Sequence, residues 1–228
     1  LSTKGKKWLV GATHTVGYGV SLYGLSSVWY SDFEKTSFHL FDDSDEWGGM
    51  DKLGHVNTAW NIANASNAML NYTGCNKKKS ALLSSSYSLL YLSTLELFDA
   101  YSKDWGFSLY DMGANLTGVT LAYLRNRGIL RDFHMKFGWT NSIYPPYRPE
   151  LLGNTIPENI LKDYNAQTYW MSINLPKRLF SDTAQNWICL SLGYSIDGYT
   201  GGKKNSYDPS LVNPPNFKRT SEFYFSID

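Results

Sequence analysis

The chain has 228 residues and a net charge of +1 at pH 7, which removes any global electrostatic case for binding nucleic acid. Charged residues make up 18%, against roughly 25% in ordinary soluble domains, while 17 Tyr and 8 Trp raise the aromatic share to 16%. The length suits one domain with a substantial core, and low charge with many amphipathic rings points to a surface not wholly in water. The 2 cysteines, Cys75 and Cys189, allow one disulfide at most and stand in no CxxC pair, which argues against a thiolate metal site. The start at Leu1, with no signal peptide, reads as a processed or trimmed chain.

Lys4, Lys6 and Lys7 precede an uncharged run of 24 residues from Trp8 to Ser31. As a helix this run reaches about 36 Å at ~1.5 Å per residue, enough for a bilayer. Gly, Ser, Thr and His14 dilute its apolar content, so a buried central helix is the first reading and membrane contact the second. Gly17 and Ser21 form a small-xxx-small pair suited to close helix contact, and the lysines suit an anionic lipid surface.

A second helix is predicted over 52–72 and a third over 80–102. A fourth begins in "FSLYDMGANLTGVTLAYLRNRG". Ser108 with Asp111 three residues on is a variant capping box, Arg125 and Arg127 fall in the last turn, and Gly128 is a natural stop. The few charges of the third and fourth helices lie near their ends, which implies that most of their length is buried in something apolar.

After Gly128 the period changes to two. "FHMKFGWT", "TYWMSINL", "WICLSLGYSI" and "SEFYFSI" read as strands, separated by Pro-rich and Gly/Pro/Asn-rich connectors. Four strands fall short of the roughly eight that close a transmembrane barrel. The expectation is an α+β fold: a bundle of about four largely apolar helices, then a small antiparallel sheet, in a single domain over 1–228. Its helical part covers about 8–128 and its β part about 131–228.

The polar residues fall into pairs. Asp51 and His55 are i, i+4 at the start of the second helix; Glu96 and Asp99 are i, i+3 in the third; Asp111 and Asn115 are i, i+4 in the fourth. Three readings stay open. Asp51 and Asp111 are plain helix caps. Alternatively Asp51, Lys52, His55, Glu96, Asp99, Ser108, Asp111 and Asn115 form a buried network that fixes register, with Lys52 or His55 as its cation. The third is a metal or acid–base site of Asp51, His55, Glu96 and Asp99, with His55 as base or ligand and Asp111 in support. No His-xxx-His or Glu-xx-His spacing supports a metal set, so nothing beyond a structural cation is expected as cofactor. Asn57, Asn61, Asn64 and Asn71 form an amide stripe, either a solvated face or an interhelical ladder. The absence of a phosphate loop, a GxSxG elbow and HExxH argues against nucleotide and common hydrolase chemistry.

"WYSDFEKTSFHLFDDSDEWGGMDKLGHVNTAW", "LELFDAYSKDWGFSLYDMGANLTG", "KDYNAQTYWMSIN" and "WICLSLGYSIDGYTGG" resemble successive blocks of an uncharacterised bacterial family. Its members are predicted periplasmic or outer-membrane lipoproteins, abundant in Bacteroidota-type Gram-negative bacteria. The resemblance runs from about Trp29 to Gly202, and the Asp-Lys-x-x-His opening also echoes VanZ-like integral membrane proteins. It implies an envelope location and no particular activity. The family-like polar positions are Asp51, Lys52, His55, Glu96, Asp99, Trp105, Ser108, Asp111, Asn115, Asp163, Tyr164, Asn165 and Gln167. A lipoprotein begins with an acylated cysteine, and this chain departs from that with Leu1.

Residues and resemblance together lead to one expectation: a non-enzymatic, outer-membrane-associated subunit or scaffold of an envelope assembly, such as secretion or outer-membrane protein biogenesis machinery. Its expected partners are membrane lipid and other outer-membrane proteins, with no nucleic acid and no nucleotide. The alternative is a hydrolase or transferase acting on envelope lipid or peptidoglycan through Asp51, His55, Glu96 and Asp99.

Overall fold

A computed structural model of the chain describes residues 1–27, 34–175 and 188–228. Helices come first and strands after, which is the expected α+β order. The chain divides into two compact units, one of Leu1–Asp43 with Thr58–Arg131 and one of Ser44–Asn57 with Asp132–Asp228. The start of the second helix is therefore grouped with the strands.

The helices of the first unit are α1 (Thr3–Leu25), α2 (Met50–Tyr72, from Thr58 onward), α3 (Lys77–Asp99) and α4 (Leu109–Arg127). Their ends follow from local capping. Ser2 Oγ accepts from Gly5 N at 3.2 Å, and Asn76 Oδ1 accepts from Lys79 N at 2.8 Å, which starts α3 three residues before the expected position 80. Ser108 Oγ accepts from Asp111 N at 3.1 Å to open α4. Gly128, at φ 86°, closes it in the left-handed conformation, with Ile129 N donating to Leu124 O at 2.9 Å.

α1 is not the buried central helix of the first reading. Val10 is its one buried residue, and a Cβ added at Gly11, Gly17, Gly19 or Gly24 would meet nothing within 4 Å. The Gly17–Ser21 pair is spent within the helix, Ser21 Oγ donating to Gly17 O at 2.6 Å. α1 is held through one stripe instead: His14 Nε2 lies 2.7 Å from Ser66 Oγ, Tyr87 donates to His14 O at 3.0 Å, and Tyr18 packs edge-on to Tyr91.

The packing of this unit reverses the usual polarity of a helix bundle. On α3 the buried positions are Ser80, Ala81, Ser84, Ser88, Tyr91, Leu92 and Glu96, while Leu82, Leu83, Leu90 and Leu97 are exposed. The inward face of α4 carries Ala114, Asn115, Gly118, Val119 and Ala122, and Leu109 and Leu116 point out. Small residues let α3 and α4 pack together. Serine hydroxyls find acceptors on neighbouring helices: Ser88 donates to Ala59 O at 2.8 Å, Ser85 to Val119 O at 3.3 Å, and Ser80 to Asn71 Oδ1 at 2.7 Å. Ala59, Tyr91, Leu92 and Val119 form a modest apolar core, which Tyr18 and Leu22 of α1 cover. The asparagine stripe of α2 is divided: Asn57 is buried, Asn61 is exposed, and Asn71 bonds to α3.

The second unit holds β1 (Phe133–Trp139), β2 (Gln167–Asn174), β3 (Cys189–Asp197) and β4 (Thr220–Ile227), paired antiparallel in the order β1-β2-β3-β4. The connector after β1 also contains two short helices, α5 (Pro149–Leu152) and α6 (Ile156–Lys162). The second is opened by a Thr155–Glu158 capping box.

Register places like with like across the sheet. Phe133–Ile173–Leu190–Ile227 and Met135–Met171–Leu192–Phe225 are two cross-strand rows on one face. The third row on that face, Phe137–Tyr169–Tyr194–Phe223, contributes Tyr169 and Tyr194 to the core with Trp47, Met50, Tyr144, Leu152, Ile196 and Tyr199. The first two rows are largely open, Leu192 being 60% and Phe225 66% exposed. On the opposite face Ser172 and Ser191 Oγ lie 2.7 Å apart, Ser191 donates to Asp228 at 2.6 Å, and Trp170 packs over Gly193 beside Tyr224.

Candidate functional site

The stretch "DEWGGMDKLGH" owes its geometry to three consecutive left-handed residues. Trp47 (φ 48°), Gly48 (φ 57°) and Gly49 (φ 82°) turn the chain sharply, and α2 starts at Met50. Positive φ is strained for a residue as bulky as tryptophan, so its surroundings must hold it. Trp47 is buried, packs its ring at a tilt against Tyr164 with centroids 5.3 Å apart, and donates its backbone N–H to Gly202 O at 3.1 Å. Tyr194 donates to Gly48 O at 2.6 Å.

This turn sets Asp51 inside the first turn of α2 and not at its cap. Oδ2 accepts from Lys52 Nζ at 2.8 Å, Oδ1 accepts from the Tyr164 hydroxyl at 2.7 Å, and His55 Nε2 is 3.8 Å from Oδ1. Burial pushes the Asp51 carboxyl up, but His55, Lys52 and the Tyr164 hydrogen bond outweigh it and hold the group below its ordinary value. The tyrosine beside it responds in the opposite sense: burial and the Asp51 charge raise Tyr169 well above its usual range. The Tyr169 hydroxyl is neutral and donates to Gln167 Oε1 at 2.7 Å.

The block "KDYNAQ" is a set of clamps. Asp163, fully buried, accepts from Asn165 N at 3.1 Å, from Asn165 Nδ2 at 2.8 Å and from Ser142 Oγ. Burial raises its carboxyl, with these donors pulling the other way. Asn165 also pairs with the backbone of Tyr199 in both directions at 2.8 Å, and Gln167 Nε2 donates to Ile160 O at 2.8 Å. Tyr144 donates to Asp197 at 2.7 Å, a link that the sequence reading missed because neither residue stood in a recognisable spacing.

Of the expected polar network, the second unit brings together Asp51, Lys52 and His55, with Tyr164. The first unit holds the rest. Ser108 Oγ donates to Asp43 at 2.6 Å while capping Asp111, and Asp111, Asn115 and Glu96 are buried, Glu96 to 1% exposure. Asp99 and Trp105 are half-buried near the end of α3 and in the loop after it. Asp43 was not expected in this group. In the second unit the Asp51 turn offers one carboxylate and one imidazole, ligand types that cations accept.

Charge in the first unit is sorted by end. Lys6 Nζ lies 4.4 Å over the Tyr72 ring, which brings the α1 N-terminus to the α2 C-terminus. A Cβ on Gly128 would lie 3.1 Å from Lys77 Nζ, which brings the α4 C-terminus to the α3 N-terminus. Lys4, Lys6 and Lys7, then Lys77, Lys78 and Lys79, and finally Arg125 and Arg127 therefore share one end. Glu96, Asp99 and Asp111 belong to the other, where Glu34 pairs with Lys103 at 2.5 Å and residues 35 and 40 bridge to Ser102 and Phe107. Between the ends α3 from Ser80 to Leu95 and α4 from Met112 to Leu124 contain no charged residue. Among the described residues no helix is long and apolar enough to cross a membrane.

No curated protein and no solved structure matches this chain. A family model does match, and the family is one of unknown function whose description supports a place in the cell envelope. The later "KDYNAQ" and "WICLSLGYSI" blocks lie beyond the matched segment. Residues 39–127, which carry α2, α3 and α4 with the turns of Asp51, Glu96 and Asp111, match the family described as "Predicted periplasmic lipoprotein (DUF2279)".

Proposed function

We propose that the protein is an outer-membrane-associated envelope component that performs no chemistry itself and serves as a subunit or scaffold of a multi-protein outer-membrane assembly. The observation that supports this reading is the outward placement of apolar side chains on both units. Leucines forgo about 1.5–3 kcal/mol each when left in water, and here they lie outside while serines and an asparagine lie inside. A bundle packed on small and polar residues with leucines outward suits a hydrocarbon environment. The mean hydropathy of α3 hides this, because inward serines offset outward leucines along the same helix. The apolar rows of the sheet supply a second, strand-built surface of the kind a protein partner covers.

The enzymatic alternative has less support. Both oxygens of Asp51 are occupied by Lys52 and Tyr164, and the "KDYNAQ" side chains are spent on backbone and side-chain clamps. The reading is tested by solubilising envelopes in mild detergent, capturing the tagged protein and identifying what comes with it. Stoichiometric recovery of one set of outer-membrane proteins is the expected result. Recovery of the protein from envelopes by salt washing alone, as a monodisperse monomer, would overturn it.

A further inference from the structure

The first unit contains an open groove of about 530 Å³ between α1, α2 and α3 at the basic end of the bundle. The volume lies within the ~300–1,000 Å³ typical of small-molecule sites. Its exposed lining is mostly apolar, with Val10, Leu70, Leu83 and Tyr87 beside the polar Ser66, Thr73 and Asn76, and Lys7 and Lys79 line it too. His14 is fixed in the wall by Ser66 and by its own helix, Nδ1 lying 2.8 Å from Val10 O. We infer that this groove binds a single anionic phospholipid, with one acyl chain along the apolar wall and the phosphate between Lys7 and Lys79. The inference rests on the membrane association proposed above and names the lipid chemistry it uses.

Charge complementarity selects the occupant. Six lysines sit in the opening turns of α1 and α3, where no acidic residue accompanies them. The helix dipole disfavours cations at an N-terminus, so α1 and α3 do not themselves account for their lysines; Lys6 and Lys77 stand beside the C-termini of α2 and α4, and Lys7 and Lys79 line the groove. Together with Arg125 and Arg127 they give this end one sign, and an anionic headgroup compensates both the lysines and the positive helix ends. A neutral lipid leaves the lysines uncompensated, and free phosphate leaves the apolar wall in water.

The test is calorimetric titration of the full chain in an uncharged detergent with short-chain phosphatidylglycerol, short-chain phosphatidylcholine or inorganic phosphate. Saturable one-to-one binding of phosphatidylglycerol is expected, with phosphatidylcholine at least tenfold weaker and no heat from phosphate. The double variant Lys7→Gln/Lys79→Gln, which alters two exposed side chains and leaves the fold intact by circular dichroism, should weaken phosphatidylglycerol at least tenfold. Equal binding of the two lipids, or an unaffected double variant, overturns the groove. Phosphate binding as tightly as the lipid overturns it too. Vesicle flotation of the wild type separates the two claims. Flotation without saturable lipid binding removes the groove and leaves the membrane reading; saturable binding without flotation keeps the groove and removes the membrane reading.

Discussion

The hydroxyl of Tyr164 donates to Oδ1 of Asp51 at 2.7 Å, joining residues 113 positions apart in the chain. One bond thus ties the first turn of α2 to the short turn that leads into β2, and the same tyrosine ring supports the strained Trp47. Replacing Tyr164 by Phe keeps the ring and removes the donor. The expected cost is about 1.5–3 kcal/mol at neutral pH, the range for a hydrogen bond to a charged group. Urea unfolding of the variant checks it, and an unchanged midpoint would show the bond to be idle.

Asp51 and Asp163 should respond to acid in opposite directions. The folded-state value of Asp51 is lowered, so its contribution is present above the ordinary carboxylate range and is lost as pH falls through the lower folded value. The folded-state value of Asp163 is raised, so protonation favours the native state and stability is gained as pH falls through that raised value. Asp51→Asn should lessen the loss of stability below about pH 4. Asp163→Asn should remove the opposing gain, and keeps an acceptor for Asn165. Denaturant midpoints measured from pH 3 to 7 for both variants decide the signs.

Gly48→Ala places a Cβ at φ 57°, 2.9 Å from the Tyr199 hydroxyl and 3.1 Å from Ile196 Cγ2. Left-handed strain and the close approach should destabilise the second unit by about 1–3 kcal/mol. Gly49→Ala has the strain without the contact, since nothing lies within 4 Å, and should cost less. Thermal melts of the two variants give the comparison; equal losses would show that the contact is unimportant.

The reversed polarity of the helical unit predicts an unusual pair of substitutions. Ser84→Leu, at a position with no exposure, should overpack the interior of the helical unit at about 1–3 kcal/mol. Leu90→Gln, at a position 62% exposed, should fall within about 0.5 kcal/mol of wild type in detergent-free buffer. Helical circular dichroism on heating measures both, and a large loss from Leu90→Gln would place that leucine inside a core.

Much of this architecture is legible in the sequence. Ser108, Arg125, Arg127 and Gly128 mark both ends of α4 because capping is local chemistry. The alternation Phe223–Phe225–Ile227 marks β4 because the side-chain period of a strand is two. The side of each helix that faces inward is not legible, because an uncharged helix of serines and leucines admits either face as core. The expectation that most of the third and fourth helices lies buried in something apolar did not say which face turns inward, and the leucines turn out. The left-handed start of α2 is signalled only by Gly48 and Gly49, and φ 48° at Trp47 has no sequence signature. Tyr164 and Asp163 were named from the family-like block, but their roles as clamps depend on contacts with residues far along the chain.

Membrane association is measured by flotation of the purified full chain on mixed phosphatidylcholine–phosphatidylglycerol vesicles, with wild type run beside a Val16→Gln/Leu90→Gln/Leu97→Gln variant. All three side chains are exposed, so the variant retains its helical fold. The wild type is expected to rise with the vesicles and the variant to stay at the bottom of the gradient. A wild type that stays at the bottom as a monodisperse monomer, with or without vesicles, contradicts membrane association.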